Sequence, residues 1–186
     1  MQVELGEQGW GNPGRNLAVS GAPISIASKR FEKGLGTHAP AEIWLQTNGA
    51  KRFTAQVGLD DGANETGSIE FSIDGDGRNL WTSGIMKRGD VAKAIDLDLT
   101  GIKTLVLRVG DGDNGNSNDH ADWAEARFEG GEPKVIVHTD PMKWLDTKGN
   151  LIQAHGGGIL KRGDTYYWYG EDKSLGGNNK VGISGY

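Results

Sequence analysis

The chain has 186 residues, 31 of them glycine, no cysteine and a formal net charge of −5. Without cysteine, neither disulfides nor thiolate metal sites can hold the fold, and the acidic balance gives no reason to expect nucleic acid or an anionic membrane as partner. No apolar run approaches the ~20 residues needed to span a bilayer, and the N-terminus lacks the basic-then-apolar pattern of a signal peptide. Abundant glycine with few apolar residues suits many short strands joined by tight turns rather than helices.

In chain order, the first feature is a glycine-rich stretch, "GWGNPGRNLAVSG" (9–21), that carries Trp10 and Asn16. "GLGTHAP" (34–40) follows, placing His38 between glycine- and proline-bounded turns. Alternation then dominates. "RFTAQVGL" puts Phe53, Ala55, Val57 and Leu59 on one face, "SIEFSID" does so with Ile69, Phe71 and Ile73, and "AIDLDLT" with Ile95, Leu97 and Leu99. "TLVLRV" and "DWAEARF" continue the pattern, the latter pointing Ala124, Ala126 and Phe128 one way and Trp123, Glu125 and Arg127 the other. Turn signals separate the runs: Asn48-Gly49, Asp61-Gly62, Asp74-Gly75-Asp76-Gly77 and Thr100-Gly101. No segment holds a 3.6-residue period over helix length, so short strands through residue 128 predict an all-β, antiparallel sandwich. "EGGEPKV" (129–135) reads as the break, and the remaining fifty or so residues offer too few strands to bury a core alone. They read as the start of something larger.

Several residues have chemistry to offer. Asp111, Asp113, Asp119 and Asp122 fall at positions 1, 3, 9 and 12 of an EF-hand-like count, but Asn116 stands where that loop needs glycine, and a strand precedes it. The segment is either a solvated turn or an oxygen-rich cage for calcium, which takes 6–8 oxygens. Asp122 has a further option, holding Arg127 or a loop amide. His38 offers a sugar hydroxyl both a donor and an acceptor, or it pins its loop to a backbone carbonyl. Asp60 and Asp61 either chelate vicinal hydroxyls or make an Asx-turn before glycine. Trp10 and Trp81 are stacking platforms for a sugar ring or ordinary core and rim aromatics. An enzyme would need paired carboxyl groups, for which Asp60/Asp61 and Asp119/Asp122 are the candidates, yet none sits in an evidently apolar setting that would raise one pKa.

Six stretches in order carry a resemblance: "GWGNPGRNLAVSGAPISI", "FEKGLGTHAPAEIWLQ", "RFTAQVGLDDG", "GSIEFSIDGDG", "LWTSGIM" and "NDHADWAEARF". Together they resemble the family-51 carbohydrate-binding modules, the NPCBM domain. The resemblance implies a jelly-roll-like β-sandwich over residues 1–130 with a structural calcium ion, recognising galactose-type sugars and fused to glycoside hydrolases. On that basis Trp10, His38, Asp60, Asp61 and Trp81 are the expected sugar contacts, and Asn16, Asp119, Asp122 and Glu125 the expected calcium ligands. Residues 131–137 would be a linker. Residues 138–186, through "DTKGNLIQAHGGGILKRGDTYYWYGED", resemble the opening of a family-43 glycoside hydrolase of the β-1,3-galactanase-like branch. This implies a fragment of the first blade of a five-bladed β-propeller. Ala154-His155-Gly156 stands where most of that family has a catalytic-base aspartate, a departure the galactanase-like branch shares. No catalytic residue is therefore expected in this chain, and His155 and Glu171 are at most substrate contacts. The expected protein is a monomeric, secreted or cell-surface bacterial module whose signal peptide is absent from this chain.

Overall fold

In the computed structural model the described residues are 8–136, 155–163, 165–172 and 181–185, and none of them is helical. Among them, no helix is long and apolar enough to cross a membrane. The chain divides into two compact units, Met1–Val137 and His138–Tyr186.

The first unit contains β1 (Gly14–Arg15), β2 (Ser25–Ile26), β3 (Lys29–Arg30), β4 (Gly34–His38), β5 (Ala41–Gln46), β6 (Arg52–Leu59), β7 (Ser68–Gly75), β8 (Arg78–Lys87), β9 (Lys93–Asp98), β10 (Thr104–Gly110), β11 (His120–Glu129) and β12 (Lys134–Val135). Sheet one has the order β1-β4-β11-β6-β9 and sheet two the order β12-β5-β10-β7-β8, while β2 and β3 form a separate hairpin. Each neighbouring pair is antiparallel, and the chain changes sheet at most connections. The alternation read from the sequence is what closes the sandwich. Phe53, Val57 and Leu59 of β6 face Ile69, Phe71 and Ile73 of β7 in one buried cluster. Trp123 and Phe71 meet edge-to-face there, centroids 4.9 Å apart.

β11 departs from simple alternation. Ala124 pairs with Gln56 but Arg127 pairs with Thr54, so one extra residue is accommodated between them, with Glu125 at φ 51°. A one-residue slip reverses which face every later side chain takes. Trp123 before the bulge and Phe128 after it therefore both point into the core, Phe128 lying 4.7 Å from Phe53 between ring centroids. The expectation that Trp123 and Phe128 face opposite ways is thus corrected by the bulge.

The outer face of sheet one is covered by residues 17–31. Ile24, Ile26, Phe31 and Ala124 form a second buried cluster beneath this flap. Two glycines make room for it, one on each side of Asp122 in the register: Gly36 and Gly58. A Cβ on Gly36 would lie 2.5 Å from the Ala18 Cα, and one on Gly58 would lie 2.5 Å from the Ile26 side chain. The backbones approach this closely only because neither residue has a side chain.

The expected linker is partly ordered sheet. Lys134 and Val135 pair with Gln46 and Leu45, Ile136 N–H donates to Trp44 O at 2.7 Å, and Val135 packs against the core. In the second unit, β13 (His155–Arg162), β14 (Thr165–Asp172) and β15 (Val181–Gly185) form a three-stranded antiparallel meander. His155 and Glu171 are register partners across β13 and β14.

Candidate functional site

One end of sheet one's outer face is left open by the flap. His38 ends β4 and His120 begins β11, opposite one another in the register. Trp10 arrives from the loop before β1, held by the Gln8 side chain, whose Nε2 donates to Trp10 O at 2.8 Å. The indole lies parallel to the His120 ring, 5° between planes and 5.9 Å between centroids, and edge-on to His38 at 5.8 Å. These rings, with Gly9, Asn116, Ser117 and Asn118, line an open cleft of about 470 Å³. Trp10 is 57% exposed, whereas His38 is 4% exposed at the cleft floor.

The ring nitrogens have defined roles. His38 Nδ1 lies 2.7 Å from Ala39 O. A carbonyl only accepts, so Nδ1 carries a proton, and in the neutral form of the ring the lone pair is on Nε2. His120 Nδ1 is buried without a hydrogen-bond partner. Burial, reinforced by the nearby His38, holds the His120 imidazole below its ordinary pKa, against a smaller opposing pull from Asp60. The cleft thus presents an exposed indole face beside imidazole, hydroxyl and carboxamide groups. A pyranose offers the complementary set, a C–H face and hydroxyls that both donate and accept.

Asp60 follows β6 and its N–H donates to His120 O at 2.9 Å. Its Oδ1 accepts from Gly62 N–H, the Asx-turn, and its Oδ2 accepts from Ser25 N–H at 3.1 Å. Asp61 Oδ2 accepts from Ser25 Oγ and from Ser28 N–H. Both aspartates therefore clip the flap to the sheet, and Asp60, 2% exposed, does not line the cleft. Asp122 lies under the same flap with both carboxylate oxygens buried, no N–H donor reaching them and the Asp60 carboxyl beside them. Burial first, then a hydrogen bond with the Asp60 carboxyl and the negative charges of Asp60 and Asp61, push its pKa up to about 9. Two neighbouring buried carboxyl groups either share a proton or hold a hard cation. Among the described residues no three His, Asp or Glu side chains are grouped to hold a metal, so backbone oxygens or water would complete such a shell.

The other expected ligands lie apart. Asn16 Oδ1 accepts from Gly34 N–H at 3.3 Å, and Glu125 N–H donates to Lys33 O, so these two border the same corner of β4. The Glu125 carboxylate pairs with Arg127, which leaves Asp122 out of that contact. Asp119 accepts from Ser68 N–H at 2.9 Å and keeps its second oxygen buried and unpartnered. Burial raises its pKa. Asn16, Asp119, Asp122 and Glu125 are thus not gathered around one point. Of the expected sugar contacts, Trp10 and His38 meet in the cleft, while Trp81 sits on β8 of sheet two, packed against the core. The sequence marks the 111–122 segment as a solvated turn or a calcium cage, whereas the structure places its residues 116–118 and His120 in the cleft lining. The available signal was "NDH" leading into a strand, whose partner in the sheet ends on the other histidine.

The profile of the NPCBM/NEW2 domain matches residues 1–129. A curated relative from Akkermansia muciniphila, Alpha-1,3-galactosidase B, is 33% identical over 177 residues, covering 83% of this chain and 22% of the relative. A Renibacterium salmoninarum protein is 34% identical over 146 residues, covering 75% of this chain and 10% of its own length. This chain therefore spans less than a quarter of either curated relative. Among solved structures, CBM51 from Clostridium perfringens GH95 in complex with methyl-galactose superposes with a TM-score of 0.63 at 27% identity, covering 66% of this chain and 91% of that one. CBM51-2 of Clostridium perfringens ZmpB in complex with GlcNAc gives a TM-score of 0.62 at 32% identity, covering 66% of this chain and 28% of that one. The chain belongs to the NPCBM/NEW2 domain family, and its sandwich is a carbohydrate-binding module of the family-51 type.

Proposed function

We propose that the Trp10–His38–His120 cleft binds the terminal residue of a galactose-type glycan. The observation that carries this is the exposed Trp10 face set beside two imidazoles in an open cleft. Solved relatives with methyl-galactose and GlcNAc support the sugar class. An open site of this kind buries little and so binds weakly. Trp10→Ala and His120→Ala should each weaken methyl-galactoside binding about tenfold or more, a loss of ~1.4 kcal/mol, measured by titration calorimetry. Trp81→Ala, on the other sheet, should leave it unchanged. Wild-type affinity in a folded Trp10→Ala chain would place the site elsewhere.

Asp60 and Asp122 would hold a calcium ion beneath the flap, where it would neutralise the two neighbouring carboxylates and pin residues 17–31 over Gly36 and Gly58. The buried Asp122 oxygens, with no N–H donor on them and the Asp60 carboxyl beside them, support this assignment. At a hundredfold excess over Kd such a ligand stabilises by about 2.7 kcal/mol, so a chelator should lower the melting temperature by several degrees. Asp122→Asn should make the melt indifferent to both calcium and chelator. An unchanged wild-type melt after verified metal removal would sink the assignment.

The module's role would be to hold an attached enzyme on its glycan, raising local substrate concentration through tethering. Residues 138–186 would open the blade of a galactanase-like propeller, a reading that rests on the "DTKGNLIQAHGGGILKRGDTYYWYGED" stretch. Such a protein would work outside the bacterial cell, where polymeric glycans are met.

A further inference from the structure

Sugar hydroxyls do not exhaust what the cleft floor offers. His38 and His120 are direct partners on neighbouring antiparallel strands. Ala39 N–H donates to Asp119 O at 3.0 Å, which makes 39 and 119 the hydrogen-bonded pair and 38 and 120 the closer, non-hydrogen-bonded one. Side chains in such a pair start from Cβ atoms ~4.5–5.5 Å apart. The two ring centroids are 5.5 Å apart with planes inclined by 56°. With metal–nitrogen bonds of ~2.0–2.1 Å to each ring, one ion can bridge rings at this separation. His38 donates its Nδ1 proton to Ala39 O, the supporting bond that metal-ligating histidines make with their other nitrogen, and this leaves Nε2 as the ligand atom. His120 holds a ring nitrogen with no hydrogen-bond partner. Asn116, Ser117 and Asn118 line the same space and, with water, can fill the remaining positions.

We propose that His38 and His120 bind one borderline divalent transition-metal ion, of the Zn²⁺ or Cu²⁺ class, across the two strands at the cleft floor, and that this ion and the sugar exclude one another. Imidazole nitrogen suits these ions, whereas calcium takes oxygen, so the site is chemically separate from Asp60 and Asp122. The exclusion rests on the sugar assignment; the metal site does not.

The test is calorimetric titration of the full chain with ZnCl₂ in a non-coordinating buffer containing excess Ca²⁺, which keeps oxygen sites filled. The wild type should take up one Zn²⁺, and His38→Gln and His120→Gln should each weaken binding by roughly tenfold or more. A titration unchanged in either folded variant, or no uptake up to about 1 mM, would overturn the site. If the variants do not fold, a chain carrying His138→Gln and His155→Gln, loaded with one equivalent of Cu²⁺, decides by electron paramagnetic resonance. Coupling to two imidazole nitrogens supports the pair, and coupling to one or none overturns it. Saturating Zn²⁺ should suppress methyl-galactoside binding; undiminished sugar affinity would overturn the exclusion. A chain that binds Zn²⁺ through both rings but no galactoside would support the metal site and sink the sugar assignment instead.

Discussion

Asp76 sits at the tip of the turn joining β7 to β8, at φ 48°. Its Oδ1 accepts from Thr104 N–H at 2.8 Å, its carboxylate also accepts from Lys103 N–H, and its own N–H donates to Thr104 O. One residue read from the sequence as part of a turn therefore also fixes where β10 begins. The Thr104 amide, then the Lys103 amide, hold its carboxyl below the ordinary carboxylate value of 3.8. A carboxyl whose folded pKa is depressed contributes stability that is present above the unfolded value and lost as pH falls through the folded one. Asp76→Asn should therefore melt below the wild type at pH 7. The gap should narrow as pH drops below about 4, when thermal melts of both chains are compared. A gap that stays constant with pH would show that the carboxylate charge plays no part.

Among the elements, β12 and the β11 bulge matter most to what the module can do. The family match ends at residue 129, yet the sandwich's sheet two continues into Lys134–Val135. Val135 adds apolar burial, and β12 caps the β5 edge that would otherwise expose unpaired amides. A chain ending at 130 should be less stable than one ending at 137 by about 1–2 kcal/mol, a few degrees in a thermal melt. Equal melting temperatures would mean that β12 is docked without contributing. The bulge has a different consequence. By reversing parity after Ala124 it lets β11 send Trp123 and Phe128 into the core while Asp122 and His120 keep the outer face. The cleft and the buried carboxyl pair both depend on that outer face.

At the scale of the molecule, binding is assigned to the first unit alone. A chain lacking residues 138–186 should bind methyl-galactoside with the affinity of the full chain. A loss of affinity on truncation would show that the second unit contributes to the site. The purified full chain should release no sugar from β-1,3-galactan, because hydrolysis needs two placed carboxyl groups or a substitute for one of them. Asp60, Asp119 and Asp122 are each at most 2% exposed. Sugar release that Glu171→Gln abolishes would overturn the assignment and locate chemistry in the β13–β15 meander.

The sequence by itself determined the strands, their turns and most buried positions, because period-two alternation and glycine-centred turns are local properties of the chain. It also marked Trp10 and His38 as candidates, since indole and imidazole carry their chemistry wherever they sit. The tertiary structure alone decided which candidates meet. His120 joins His38 only through the β4–β11 register, and Asp60 lies beside Asp122 only because β6 and β11 are neighbours, more than 60 residues apart in sequence. Trp81 has the same chemistry as Trp10 but belongs to the other sheet. The parity change in β11 was invisible in "DWAEARF", which alternates without interruption, because a bulge is set by what the neighbouring strand and flap must accommodate. Pairing between distant strands is a non-local choice, and the functional surface of this module is made of such pairings.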